Sequence, residues 1–287
     1  MSLEASPLKT CLMERKPLRT QMKPKKSLGQ HFLKCKWVIS TLINAGEVGP
    51  EDVILEIGPG KGILTRGLAK KAKKVIAVEK DERLAHELKN AIQKEGITNA
   101  HLIIGDILHL YLTEYGTNSF MEQKYKIVAN IPYYLTSRLL RLLLEAEQKP
   151  AIIALTIQKE VAQRIMAKPP HMNLLALSVQ AYGTPEIIKT VPANCFYPKP
   201  KVDSAIIKIS DISDKFFKKH KIGDRKFFEI IRKSFGQKRK MLLRSLASYI
   251  ARPKLEKILV GLGLKTTARP EELTLEQWTT LISFMEK

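Results

Sequence analysis

The residues best suited to chemistry in this sequence form a glycine-rich run that is followed, at a fixed distance, by an acid. The run reads EIGPGKG over residues 56–62, between a strand-like and a helix-like segment, and Glu79 follows Gly58 by 21 residues. Glycines let the backbone approach a ligand because no Cβ intervenes. An acid about 20 residues later, at the end of the next strand, accepts hydrogen bonds from ribose hydroxyls. Alone, the glycine-rich run could be an ordinary turn. Because Glu79 follows at the expected distance, the pattern instead predicts a site for an adenosine-containing ligand.

The spacing of the glycines narrows the ligand further. Dinucleotide sites read G-x-G-x-x-G and place a helix N-terminus against a pyrophosphate. Here Gly62 comes one residue early, and Ile63 occupies the position of the third glycine. The pattern E-x-G-x-G-x-G is typical of methyltransferases that bind S-adenosylmethionine, which has no phosphate. The sequence therefore predicts S-adenosyl-L-methionine as the cofactor.

A second motif, NIPY at residues 130–133, directly follows another strand-like segment. An exocyclic amine on a purine is a poor nucleophile because its lone pair is delocalised, so an enzyme that alkylates it must orient both N–H groups towards acceptors. The Asn130 side-chain carbonyl and the Ile131 backbone carbonyl are suitable acceptors. Pro132 stiffens the turn, and Tyr133 can stack on a base. Alone the motif would be read as a plain turn, but after the glycine loop it indicates methylation of a base amine.

Composition excludes several classes of protein. The 287 residues are 44% hydrophobic with a mean hydropathy of −0.14, as in a globular protein. No apolar run approaches the ~20 residues that span a bilayer, and the N-terminus lacks the apolar core of a signal peptide. Residues 1–26 are expected to be a disordered basic tail. Three widely spaced cysteines indicate neither a disulfide framework nor a zinc site and fit a reducing cytosol. We predict a cytoplasmic protein without a metal.

The charge of the chain indicates a polyanionic partner. The net charge is +21, and residues 214–244 hold twelve Lys or Arg against three acids. A solvated helix face is the commonest explanation of such a run, and a membrane surface is another, although aromatic anchors are sparse here. Counterion release makes nucleic acid the favoured partner. Charge alone does not distinguish RNA from DNA.

Strand and helix signals alternate along the first two thirds of the chain, which predicts a mostly parallel sheet with helices on both faces. Strands are predicted at 53–57, 75–79, 102–105, 126–129 and 152–158, helices at 34–45, 81–94 and 137–148, and an antiparallel pair at 186–191 and 202–209 closing one sheet edge. Further helices are predicted at 227–251, 253–262 and 275–286. The predicted fold is therefore an α/β catalytic domain (27–210), a polar linker (211–221) and a small all-helical domain (222–287).

Six segments together resemble the bacterial small-subunit ribosomal RNA adenine dimethyltransferases, the KsgA or RsmA family. They are SLGQHFL (27–33), EIGPGKG (56–62), NIPY (130–133), QKEV (158–161), FYPKPKVDS (196–204) and SFGQKRKMLLRSL (234–246), and the last two are the most specific. The resemblance implies a Rossmann-like class I methyltransferase fold. It also implies dimethylation of N6 of two adjacent adenines near the 3′ end of 16S rRNA, within a 30S precursor particle. A monomer is the simplest expectation.

The resemblance assigns roles to residues by motif. Cofactor binding is expected of His31, Leu33, Glu56, Gly58, Gly60, Glu79, Asp106, Ile107 and Asn130. Catalysis is expected of Asn130, Ile131, Pro132, Tyr133 and Phe196, and RNA binding of Lys201, Lys238, Arg239, Lys240 and Arg244. His31 stands where the family often has asparagine. Asp106 alone would read equally as a helix cap, and Phe196 alone as a buried loop aromatic.

Two other functions fit parts of the sequence. The first is an enzyme of the Erm class, which shares the catalytic core and modifies large-subunit rRNA. The FYPKPKVDS segment and the region after Lys226 favour the small-subunit enzyme over it. The second is a binding-only ribosome assembly factor, against which the intact NIPY motif argues.

Overall fold

The computed structural model of the chain describes residues 24–25, 28–110, 124–236 and 241–285. The strands are β1 (Phe32–Leu33), β2 (Val53–Ile57), β3 (Lys74–Glu79), β4 (Ala100–Ile104), β5 (Tyr125–Asn130), β6 (Ile153–Gln158), β7 (Thr184–Val191), β8 (Phe196–Tyr197) and β9 (Ser204–Ser210). The helices are α1 (Lys36–Ala45), α2 (Ile63–Ala69), α3 (Glu82–Lys94), α4 (Ile107–Leu110), α5 (Thr136–Glu145), α6 (Lys159–Ile165), α7 (Leu174–Gln180), α8 (Lys215–His220), α9 (Asp224–Gly236), α10 (Leu242–Ser245), α11 (Arg252–Gly261) and α12 (Leu275–Ser283).

Seven strands form the main sheet in the order β4-β3-β2-β5-β6-β9-β7. The first five are parallel, and β9 runs antiparallel to both β6 and β7. All five residues of β2 are buried, as expected of a parallel strand with helices on both faces. The predicted Rossmann-like α/β fold is confirmed, including the antiparallel pair at the sheet edge.

Strand order reverses between β2 and β5, and this reversal places the site. From β2 the chain builds outward through β3 to β4, then returns to pair β5 on the other side of β2. Ligands in such sheets bind in the crevice beyond the carboxyl ends of the strands at the switch point. The glycine loop follows β2 and the NIPY motif follows β5, so both motifs lie at this crevice.

The C-terminal helices share one continuous hydrophobic core with the sheet. The segment predicted as a linker contains α8, whose Phe217 packs against Tyr182, Phe227 and Phe228. The single helix predicted over 227–251 is wrong. Helix α9 ends at Gly236, a residue type that readily terminates helices, and α10 begins at Leu242. No helix among the described residues is long and apolar enough to cross a membrane.

The expectation that the cysteines form no disulfide is also wrong. Cys35 and Cys195 are disulfide-bonded, with their Cα atoms 5.1 Å apart and 160 residues between them in sequence. They meet because β1 pairs antiparallel with β8, which puts Leu33 opposite Phe196. Cysteine spacing could not reveal a contact made by a long-range strand pair. Cysteine usage therefore gives no support to a reducing compartment.

Candidate active site

A cavity opens at the carboxyl ends of β2 and β5, covered on one side by the residues that lead into β1. The structure brings ten of the predicted site residues together in its lining: His31, Leu33, Glu56, Gly58, Gly60, Asn130, Ile131, Pro132, Tyr133 and Phe196. They come from four separate segments of the chain. The fold therefore assembles the two predicted motifs into one site.

The glycines of the loop have two different tasks. Gly58 and Gly60 line the cavity with positive φ values of 68° and 56°, a conformation that favours glycine. A Cβ on Gly60 would lie 3.1 Å from the Phe32 ring, so the covering segment also depends on this glycine. Gly62, with φ 71°, instead faces helix α3, where an added Cβ would overlap the Leu88 side chain. The third glycine thus serves packing of α3 against the loop.

Glu79 fixes the conformation of the glycine loop. Its carboxylate accepts a hydrogen bond from the Gly60 N–H at 3.0 Å and another from the Asp81 N–H at 2.9 Å. The side chain is 6% exposed, and burial raises its pKa, although the two N–H groups oppose the shift. Glu79 therefore lies directly behind the loop, and it is not among the residues that line the cavity.

Glu56 is a buried carboxyl at the floor of the cavity. It is 1% exposed, and its Oε2 has no hydrogen-bond partner among the described residues. Burial raises the pKa of Glu56 to about 8, with Thr65 opposing the shift and the charge of Glu79 adding to it. A buried acceptor without a partner is costly unless a ligand pairs with it. The site therefore suits a ligand that brings a cationic or N–H donor group to Glu56.

The raised pKa of Glu56 has a measurable consequence for stability. Between pH 4.5 and about 8 the folded protein keeps this proton while the unfolded chain has lost it. The free energy of unfolding should therefore fall as pH rises through this window, by at most about 1.4 kcal/mol per pH unit from Glu56. Urea unfolding of Glu56→Gln should show a correspondingly flatter pH dependence than the ligand-free parent protein. Glu87→Gln, on an exposed face of α3, is the control, and equal slopes for parent protein and Glu56→Gln would contradict the account.

A second, smaller cavity meets the first at Gly58 and Pro132. Asp106 and Ile107 line it, as do Lys80 and Tyr134, which the sequence analysis missed. Asp106 accepts from Lys80 Nζ at 2.8 Å and caps α4 by accepting from the Leu108 N–H at 3.0 Å. Burial alone would raise the pKa of Asp106, but these hydrogen bonds outweigh it and hold the pKa below its ordinary value. In the sequence, Lys80 and Tyr134 differ from other residues of their type only in that they directly follow the predicted site residues Glu79 and Tyr133.

Asn130 connects the NIPY motif to the covering segment. Its Nδ2 donates to the backbone carbonyl of His31 at 3.2 Å. No described residue donates to the side-chain carbonyl of Asn130, which stays available at the cavity. The amide is thus oriented by the protein before any ligand arrives.

Two aromatic rings form walls of the cavity. Tyr133 Oη shares a hydrogen bond with Ser204 Oγ at 2.7 Å, and the Tyr133 ring stacks on His31 with centroids 5.6 Å apart. Burial raises the Tyr133 pKa, so the phenol stays neutral. Phe196 is 1% exposed and lines the same cavity. Phe196 is therefore a buried loop aromatic, as its residue type alone suggested, and it also lines the site.

Asp81 anchors the covering segment, a role that sequence reasoning missed. This buried side chain accepts from Lys25 Nζ at 3.2 Å, from Gln30 Nε2 at 3.0 Å and from the Arg83 guanidinium at 2.8 Å. The hydrogen bond from Arg83, with those from Gln30 and Lys25, holds the pKa of Asp81 well below its usual range. Gln30 belongs to the SLGQHFL segment, but nothing in the sequence identifies Asp81 as its partner.

Of the basic residues predicted to bind RNA, the structure describes Lys201 and Arg244. Lys201 is exposed on the loop before β9, beside the cavity, whereas Arg244 is exposed on α10 and does not line it. Lys238, Arg239 and Lys240 lie outside the described residues, as do residues 1–23 and 26 of the predicted tail (1–26). Within the described ranges, no group of three or more His, Cys, Asp or Glu could hold a metal ion. The prediction that the protein uses no metal stays a prediction.

Comparison with known proteins gives one consistent result. A family model described as "Ribosomal RNA adenine dimethylase" matches residues 21–287. Ribosomal RNA small subunit methyltransferase A from Dehalococcoides mccartyi is 41% identical over 263 residues, covering 91% of this chain and 88% of the relative. The structure of a dimethyladenosine transferase from Plasmodium falciparum has a similar fold, with a TM-score of 0.74 at 24% identity over 89% of this chain and 98% of that one. The 23S rRNA methyltransferase ErmE gives a TM-score of 0.70 at 25% identity over 89% of this chain and 100% of that one.

Proposed function

The chain belongs to the ribosomal RNA adenine dimethylase family, and from this premise we propose that it dimethylates N6 of two adjacent adenines near the 3′ end of 16S rRNA. The methyl donor is S-adenosyl-L-methionine, and the substrate is the rRNA of a 30S precursor particle. The observation that carries the proposal is that a single cavity joins the glycine loop to the 130–133 turn and Phe196.

The residues present fit S-adenosylmethionine. The cofactor supplies a methyl group on a sulfonium, which is transferred without a covalent enzyme intermediate. Oε2 of Glu56, which has no hydrogen-bond partner among the described residues, would pair with the α-ammonium group of the methionine portion. Gly58 and Gly60 let the backbone approach closely, and Glu79 accepts from the ribose hydroxyls. Asp106 and Ile107, in the second cavity, hold the adenine, while His31 and Leu33 cover the ligand.

The chain activates the target amine by orienting it. The carbonyl groups of Asn130 and Ile131 accept the two N–H groups, so the nitrogen lone pair faces the methyl carbon. Pro132 keeps the turn rigid and offers no N–H of its own. Tyr133 and Phe196 stack on the extruded base, each contact being worth about 1–3 kcal/mol. S-adenosylmethionine would supply the methyl group, and the chain's own contribution to catalysis is the orientation of the amine and its proximity to the donor, with the amine proton passing to water.

The basic C-terminal region holds the rRNA backbone in this proposal. Phosphate contacts from Lys201, Arg244 and residues 238–240 position the particle without specifying the site. We place the contacts of Arg244 and residues 238–240 in a helical RNA-binding domain (222–287), and that of Lys201 in the catalytic domain (27–210). The enzyme acts as a monomer in the cytoplasm.

Neutralising the basic run should weaken particle binding without changing the chemistry. We expect the double variant Lys238→Ala/Arg239→Ala to bind 30S particles less tightly, with the slope of log K against log salt reduced by about 2. Filter binding at several salt concentrations measures both quantities. Replacement of Lys70 and Lys71, exposed beyond α2, is the matched control. An unchanged slope in the 238/239 variant would remove these residues from the phosphate contacts.

The proposed substrate is tested by offering several acceptors in parallel. The protein is incubated with S-adenosylmethionine labelled in the methyl group and with unmethylated 30S particles, 50S particles, naked rRNA or duplex DNA. We expect label in the 30S arm. This chain is 41% identical to the small-subunit relative and 25% identical to ErmE, which favours 30S over 50S particles as the substrate. Label only in 50S or DNA would overturn the proposed substrate, and label in none would support a binding-only assembly factor.

A further inference from the structure

A third cavity adjoins the active site on the side away from the glycine loop. It has a volume of about 630 Å³ and shares Gly29, Gln30, His31 and Tyr133 with the active-site lining. Its remaining walls are Pro24, Gln158 and residues 198–202. Cavities of 300–1,000 Å³ accommodate small organic ligands. The space is therefore large enough for one nucleotide placed beside the target base.

The rim of this cavity is positively charged. Lys199 and Lys201 are both exposed, and neither forms an ion pair with another described residue. Two free ammonium groups two residues apart suit a phosphodiester, which Lys binds as a point charge. The loop that carries them is tied to the covering segment, because His31 Nδ1 lies 2.7 Å from the Pro198 carbonyl oxygen. The lysines are thus held beside the target pocket.

Gln158 is the polar side chain placed to read a base in this cavity. It ends β6 directly opposite Ser204, the residue whose hydroxyl is bonded to Tyr133. Its side-chain amide makes no hydrogen bond with any residue that the structure describes, and it caps no helix backbone at α6. A free glutamine amide can pair with the N6 amino group and N7 of adenine at once. The amide is therefore available to a base that lies next to the target.

We propose that this cavity binds the nucleotide adjacent to the target adenine, with Gln158 recognising an adenine there and Lys199 and Lys201 holding the phosphate that joins the two. The inference rests on the proposed function and adds the way in which the enzyme selects a pair of adenines. Gln158 is then a specificity-determining residue, and the target base itself still stacks between Tyr133 and Phe196.

The test uses 30S particles in which one adenine of the pair is replaced by guanine, made separately for each position. Guanine presents only acceptors at O6 and N7, so it cannot satisfy the donor and acceptor of the Gln158 amide together. With the wild-type enzyme, at least one replacement should lower kcat/KM for the remaining adenine by about 5- to 150-fold, the equivalent of 1–3 kcal/mol. Gln158→Ala should give similar kcat/KM values on the replaced and unreplaced particles.

Controls separate this inference from the function on which it rests. Gln163→Ala, exposed on α6, the helix that follows Gln158, should keep the wild-type preference. Lys199→Ala/Lys201→Ala should raise KM equally for all particles and reduce the salt slope by about 2. If the wild-type enzyme methylates unreplaced 30S particles but Gln158→Ala retains the full preference, the inference is overturned while the function stands. If the wild-type enzyme leaves unreplaced particles unmethylated, the function itself fails.

Discussion

Replacing Asn130 with alanine is expected to lower kcat for methyl transfer to 30S particles by about 100- to 1,000-fold, the effect of removing one preorganised hydrogen-bonding group from an active site. The Asn130 carbonyl has no donor among the described residues, and its Nδ2 is already held by His31. The variant loses the acceptor that turns the amine lone pair towards the methyl group. Single-turnover measurement with labelled cofactor separates this step from product release.

The same variant should bind particles as tightly as the parent protein, because the phosphate contacts that we propose involve other residues. Asn90→Ala, on an exposed face of α3, is the matched control and should leave both rate and binding unchanged. A fully active Asn130→Ala enzyme would show that orientation of the amine does not depend on this residue. Loss of particle binding in parallel with the rate would indicate a structural defect instead.

The second large effect is expected for stability, at Gly62. An alanine there must adopt a φ of 71°, which costs about 1–2 kcal/mol, and its Cβ would overlap Leu88. Overpacking of a core contact typically adds about 1–3 kcal/mol. We therefore expect Gly62→Ala to lower the free energy of unfolding by about 2–5 kcal/mol, measured from the midpoint and slope of urea unfolding.

Gly96 provides the matched control for this prediction. Its φ is 65°, but an added Cβ would meet nothing within 4 Å. Gly96→Ala should therefore lose only the backbone contribution of about 1–2 kcal/mol. Equal losses in the two variants would mean that α3 and the loop adjust to the extra methyl group, and that Gly62 is required only for its backbone conformation.

The sequence was sufficient to predict those parts of the site that depend on short motifs and on the alternation of strands and helices. Alternating strand and helix signals predicted a parallel sheet, and the rule that ligands bind at carboxyl ends of strands predicted that residues 56–62 and 130–133 would meet. The glycine spacing indicated a methyl donor. Its third glycine nevertheless has a packing role at Leu88, which no spacing rule distinguishes from a ligand contact.

Features that depend on long-range contacts could not be predicted. The disulfide between Cys35 and Cys195 exists because β1 pairs with β8 across 160 residues. The Asp81 anchor joins residues more than 50 positions apart. Oε2 of Glu56 has no hydrogen-bond partner because the surrounding strands bury the carboxyl away from water. The types of the neighbouring residues in the sequence do not reveal this burial.

The central claim is that the site places two methyl groups on N6 of each of two neighbouring adenines. The most direct measurement is mass spectrometry of 16S rRNA fragments recovered from 30S particles that were incubated with the protein and S-adenosylmethionine. The account predicts N6,N6-dimethyladenosine at two adjacent positions near the 3′ end, four methyl groups in all. Adenines carrying a single methyl group as the end product, or methylation at any other base or atom, would contradict it.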